Sequence, residues 1–249
     1  MGFLTGVIHL ANLSQATTAL ILVASVAYFV TMLTSSRVDD IERTRVRAFI
    51  PLFIANAVFW SLFQQIFTVL AVYSDERINW SLFGWTAPSS WIGSIEPVWI
   101  ILLSPLFAMM WTRLGRRAPT TPRKFAYGVI GMGVAFLLFL PLAGSTGRSV
   151  PVLAVVAIMA VFAVSELLLS PIGLSVTTQL APNAFRAQMM ALFFFSVGLG
   201  TAMSGVLGRY YDPSHEFAYF GIIGLTALVV GLVVWALAPR ISRLMEGVH

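Results

Sequence analysis

Ser165-Glu166-Leu167-Leu168-Leu169-Ser170-Pro171-Ile172-Gly173-Leu174-Ser175 places a carboxylate inside an apolar run that starts near Val150. The run is long enough to cross the ~30 Å hydrocarbon core of a bilayer as a helix. An acid at that depth costs roughly 2.5–3.5 kcal/mol on insertion scales, so function is its default explanation. The alternative is an acid held by a buried partner for packing alone.

The surroundings of this run have the same character. Of 249 residues, 58% are hydrophobic and 10% are charged, and mean hydropathy is +0.88. Soluble chains carry about 25% charged residues, so the composition specifies an all-α, polytopic membrane protein. The lack of cysteine excludes disulfides, thiolate metal sites and thiol nucleophiles. The net charge of +5 is no sign of nucleic acid, because the basic residues sit in short segments between apolar runs. At the start of the chain no basic residue precedes Arg37, which argues against a cleaved signal peptide.

Seven runs are long enough to span: roughly 13–35, 48–73, 92–112, 125–144, 150–173, 187–208 and 217–238. Lipid offers no partner to an unpaired backbone amide, and no strand-type alternation is evident, so each is expected to be helical. Threading seven spans alternately puts every Lys and Arg on one face except Arg77, Arg148 and Arg209. That face is expected to be cytoplasmic, with the N-terminus outside and the C-terminus inside the plasma (inner) membrane. Gly144-Ser145-Thr146-Gly147 supplies one outer turn. The outer loop from Ser74 to Ser90, followed by Trp91, holds Trp80, Trp85 and Pro88, whose aromatics read first as interfacial anchors and second as a lid. Gly200, Ser204 and Gly208 form a small-residue face suited to close helix approach. Pro97, Pro105 and Pro171 lie within spans and are expected to kink them or free carbonyls.

Most of the ten acids lie in loops or at the ends of spans; the exceptions are Glu96, near the outer end of the third span, and Glu166, deep in the fifth. Phe162, Glu166, Ser170, Gly173 and Thr177 share one helical face that suits a cavity wall. The second span carries Asn56, Trp60, Gln64 and Thr68 at successive i+4 steps, with Ser61 and Gln65 beside them. Such a stripe either bonds neighbouring helices or faces solute, and its length favours solute. Trp60 offers a surface on which a side chain or ammonium can stack. Glu96 reads either as a rim acid or as part of the site. A carboxyl whose proton occupancy depends on a nearby cation is a natural proton-coupling element, and Glu166 is the stronger case. No H-E-x-x-H, G-x-S-x-G or Walker-type motif is present, and His9, His215 and His249 have no metal-ligand spacing. No catalytic residue, metal or cofactor is therefore expected, and the chain reads as no enzyme.

The stretch from Ser165 to Ser175, continued by Thr177-Thr178-Gln179-Leu180-Ala181-Pro182, resembles the tenth-helix signature of the proton-dependent oligopeptide transporters, a family of the major facilitator superfamily. Phe59-Trp60-Ser61-Leu62-Phe63-Gln64-Gln65 is similar to the seventh helix of that family. Ile95-Glu96-Pro97 through Pro105-Leu106-Phe107 is similar to the eighth, and Met189-Met190-Ala191-Leu192-Phe193-Phe194 to the eleventh. Arg113-Leu114-Gly115-Arg116-Arg117 is similar to a cytoplasmic loop motif of the superfamily. The resemblance covers only the C-terminal half of such a transporter. It implies a linker helix and cytoplasmic loop over 1–47 and a six-helix transporter bundle over 48–249.

As an implication of the resemblance, the chain is the C-terminal half of a proton-coupled di-/tripeptide symporter, inactive without an N-terminal six-helix half. Protons are its coupling ion, and its partners are the lipid bilayer, the peptide and that other half. Glu166 matches the acid that contacts the peptide amino terminus, and Trp60 and Ser165 match cavity-lining positions. Gln64, Glu96 and Phe193 complete the expected substrate site, with Glu166 and Glu96 coupling protons. The chain departs from the pattern with Gln64 beside Gln65 where many members carry an acid, with Glu96 where many carry asparagine, and with Phe193 in place of tryptophan. Two rival expectations are a non-transporting membrane subunit or relic, and a transporter of another small solute on the same scaffold.

Overall fold

The computed structural model describes residues 13–82 and 84–247. His9 and His249 lie outside the described residues. The fold is all-α, and its helices are α1 (Leu13–Thr34), α2 (Asp40–Phe63), α3 (Val69–Arg77), α4 (Ile92–Leu114), α5 (Thr121–Leu137), α6 (Val152–Leu180), α7 (Arg186–Leu207) and α8 (Glu216–Leu244). Counting α2 and α3 as one crossing, seven segments among the described residues are long and apolar enough to span a membrane, as the hydropathy pattern predicts.

The second crossing differs from its expected form at both ends. It starts at Asp40 rather than near 48, because Asp39 and Glu42 form a capping box. The Asp39 carboxylate accepts the Glu42 amide at 2.7 Å, and the Asp39 amide donates to Glu42 at 3.4 Å. Glu42 also accepts the backbone and side-chain N–H of Asn183 at 2.9 and 3.0 Å, which ties this end to the α6–α7 turn. Further along, the helix tightens to a 3-10 turn over Gln64–Phe67 and breaks at Thr68, whose backbone (φ −118°, ψ −91°) is not helical. No proline causes the break. The Gln65 amide group donates to the Ser61 carbonyl at 3.3 Å, and the Thr68 hydroxyl donates to Gln65 Oε1 at 3.1 Å. The Gln65 amide thus serves a backbone carbonyl beside the interrupted ladder, and the Thr68 hydroxyl also reaches the Gln64 carbonyl at 3.4 Å, as a helix break in lipid requires. By contrast α4 runs through Pro97 and Pro105, and α6 through Pro171.

Helix α2 is the hub, packing on α5, α6, α7 and α8, while the most extensive contact is between α5 and α8. Small residues set both close approaches. A Cβ at Gly200 would sit 2.5 Å from the Ala57 carbonyl oxygen and 2.7 Å from the Trp60 Cβ, so the small-residue face of α7 rests on α2. A Cβ at Gly133 would sit 2.8 Å from both Gly224 O and Leu228 N, which fixes α5 against α8.

At the outer end the loops knit together. Residues 78–79 pair in parallel with 150–151, and a hairpin joins 81–82 to 85–86 around Gly84 at φ +83°. Trp80 is buried with its indole N–H on the Ser74 carbonyl at 3.1 Å, so it is a core residue and not an interfacial anchor. Trp85 and Trp91 are exposed with ring centroids 5.3 Å apart. Arg77 Nε donates to the buried Glu216 at 2.7 Å, and Tyr211 and the Gly144 amide donate to the same carboxylate. Arg148 pairs with Asp75 at 3.2 Å. His215 belongs to a turn with Asp212, whose carboxyl is drawn down to about 2 by the Ser214 hydroxyl and amide and by His215.

Gly133→Leu drives a side chain into backbone and should destabilise the bundle by about 1–3 kcal/mol or more. Gly221→Ala, whose Cβ would stand 3.6 Å from a Leu140 methyl, should change little. Detergent-titrated unfolding followed by circular dichroism separates the two.

Candidate functional site

Helices α2, α4, α6 and α7 bring forward the residues singled out in the sequence. Along the second crossing the polar stripe divides. Asn56 donates to Ser196 of α7 at 2.6 Å, Gln65 accepts Tyr219 of α8 at 3.1 Å, and Thr68 lies 3.4 Å from Ser204 of α7. These members bond helix to helix. Trp60 and Gln64 stay half-buried, with Gln64 donating to Thr201 of α7 at 3.3 Å. The Trp60 ring is held edge-on by Phe59 and Phe63, with centroids at 5.7 and 5.2 Å, while its indole N–H is buried without a partner. A buried donor with no acceptor is costly, and ligand or water is its usual complement.

On α6 the expected cavity face is also only partly open. Phe162 is fully buried against Phe136, with ring centroids 5.5 Å apart. Thr177 is buried and donates to the Gly173 carbonyl at 2.7 Å. Glu166 and Ser170 are half-buried, the hydroxyl lying 3.5 Å from Glu166 Oε1. Ser165 is fully buried, donates to the Val161 carbonyl at 2.7 Å and packs on Gly131 of α5, away from Glu166. Phe193 of α7 is buried against Gly173, where a Cβ would come within 2.8 Å of its ring.

Glu96 is brought to Glu166. It is 5% exposed, its side chain lies beside that of Glu166, and its Oε1 is buried without a partner. Among the described residues neither acid has a basic partner. The same residues hold no cluster of metal-ligating side chains. The arrangement is an acidic pair with the Ser170 hydroxyl beside Glu166, suited to a cationic ligand group. Sequence reasoning missed Ser196, Thr201 and Tyr219, which hold the stripe. Ser196 and Thr201 were visible as polar interruptions of an apolar run.

The model of the POT family matches residues 5–223. A di-/tripeptide transporter of Lactococcus lactis subsp. cremoris is 37% identical over 235 residues, covering 92% of this chain and 47% of the relative. An uncharacterized transporter of Bacillus subtilis is 39% identical over 246 residues, covering 98% of this chain and 50% of the relative. A crystal structure of a peptide transporter, POT, in complex with sulfate superposes with a TM-score of 0.92 at 42% identity, covering 99% of this chain and 50% of that one. The chain thus spans about half the length of the curated relatives it matches.

In a chain without native cysteine, Gln64→Cys should react with a water-soluble maleimide while Ser165→Cys stays protected, as alkylation and mass spectrometry would read out. Asn56→Ala removes a bond between helices and should cost about 0.6–1.7 kcal/mol of stability.

Proposed function

The chain belongs to the POT family, and on that premise we propose that it is the C-terminal half of a proton-coupled di-/tripeptide symporter. Glu166 receives the peptide amino terminus. Trp60, Gln64 and Phe193 form the walls of the site, Ser165 supports it from behind, and Glu96 shares proton coupling with Glu166. The observation that carries this reading is the Glu96–Glu166 pair, which is buried or half-buried at membrane depth and has no cation among the described residues. An uncompensated acid pair in lipid calls for a cationic partner, and both a peptide ammonium and a basic residue of a complementary half supply one.

The remaining parts of the proposal follow from alternating access, which needs two halves rocking about a midplane site. Residues 1–47 form the linker helix and its loop, and 48–249 the transporting bundle. The complementary six-helix half comes from outside this sequence. The distribution of Lys and Arg supports an N-terminus outside and a C-terminus in the cytoplasm. As a member of a transporter family the chain is a membrane protein and not an enzyme.

Co-produced with a complementary six-helix half and reconstituted, the chain should drive dipeptide uptake that depends on an inward proton gradient. Glu166→Gln should reduce that uptake to the background of empty vesicles. Undiminished uptake by the variant would remove Glu166 from both roles.

A further inference from the structure

We propose that the turn joining α4 to α5 is a docking site for the headgroup of an anionic phospholipid, held by Arg117, Arg123 and Lys124 beside the Trp111 ring. The inference needs only that the chain lies in a membrane, and it stands apart from the transport reading.

The two helix ends meet closely. Helix α4 ends at Leu114, a 3-10 turn covers Gly115–Arg117, and α5 begins at Thr121. The ammonium of Lys124, the chain's single lysine, lies over the Trp111 ring, 4.4 Å from its centroid. Phe107 meets the same ring edge-on at 6.3 Å. Trp111 belongs to the last turn of a membrane-spanning helix, the depth at which tryptophans border the headgroups. The ring attracts the cation through its quadrupole and leaves the charge uncancelled. Among the described residues no carboxylate pairs with Arg113, Arg117, Arg123 or Lys124, and the three arginines are exposed.

Two simpler reasons for these cations fall short. Orientation in the bilayer calls for Lys and Arg at this end, but not for their standing without acids. At the start of α2, at the same end, Arg43 pairs with Asp40 at 2.9 Å, and Asp39 and Glu42 close the helix cap. Between Glu96 and Glu166, by contrast, the sequence holds no acid at all. Helix stability is no better a reason, because the first turn of α5 carries two cations and no acid, against the helix dipole. Helix α8 adds to the same charge. Gly133 meets Gly224, and Gly231 meets Ala126 and Ile130, so α8 runs antiparallel to α5. That register carries the exposed Arg240 and Arg243 toward the start of α5.

The result is a surface of one sign at headgroup depth with an aromatic ring in it. A phosphodiester offers paired oxygens to guanidinium groups, and basic sites between membrane helices suit anionic headgroups. A soluble acidic partner would reach the exposed arginines. The ammonium tucked against a tryptophan in the last turn of a span lies at lipid depth, which favours the headgroup.

Native mass spectrometry of the chain in micelles, titrated with phosphatidylglycerol or phosphatidylcholine, counts the bound lipid. Phosphatidylglycerol should be preferred, and Arg123→Gln with Lys124→Gln should weaken its binding about tenfold or more. Removing two exposed charges elsewhere at the same end, with Arg37→Gln and Arg47→Gln, should leave binding nearly unchanged. Equal binding of the two lipids, or equal losses in the two double variants, would overturn the site. A second readout needs no variant. A few equivalents of phosphatidylglycerol, but not of phosphatidylcholine, should slow acetylation of Lys124 by a water-soluble reagent, and equal rates would also overturn the site.

Discussion

A polar atom on a helix inside a bilayer has to find its partner on another helix, because lipid supplies none. The arrangement of this chain follows from how that demand is met. Asn56 of α2, with Gln65 and Thr68 of the turn that follows it, meets it across the interfaces with α7 and α8, which helps make the second crossing the hub. The break at Thr68 meets it locally, through the Gln65 amide and the Thr68 hydroxyl. The indole N–H of Trp60 and Oε1 of Glu96 are buried and leave it unmet. Asn56 Oδ1, Tyr73 Oη and Ser242 Oγ are also buried without a partner, so an unmet atom points to a site only where it belongs to the residues singled out by depth.

The apolar runs and their charged flanks were enough to read seven crossings, because hydropathy and helix length are local properties. The Gly200–Ser204–Gly208 face was legible for the same reason, as spacing along one helix. The glycine contact between α5 and α8 was not, since Gly133 and Gly224 are distant in sequence and meet only through the bundle. The break in the second crossing was hidden because nothing at Gln64–Thr68 forbids a helix; side-chain bonds to α7 and α8 make its alternative tolerable. Trp80 shows the limit of composition in the outer loop: a tryptophan near an interface reads as an anchor until the Ser74 carbonyl is found behind it.

The candidate site was legible as a set of residue types but not as a set of neighbours. Glu166 stood out by depth alone, and Glu96 gained its meaning when α4 and α6 placed the two acids together. Ser165, one residue from Glu166, is turned onto α5 by the 3.6-residue period of the helix. On the proposed reading, the acids of α4 and α6 supply the titratable charge where Gln64 stands, and the cation that answers them would come from a ligand or from a complementary half.

The most direct test is the affinity of a dipeptide for the chain assembled with a complementary six-helix half, compared with that of the same dipeptide acetylated at its amino terminus. If Glu166 receives the ammonium, acetylation leaves that carboxylate without its cation and should weaken binding by about 2–5 kcal/mol. Equal affinity for the two peptides would contradict the account.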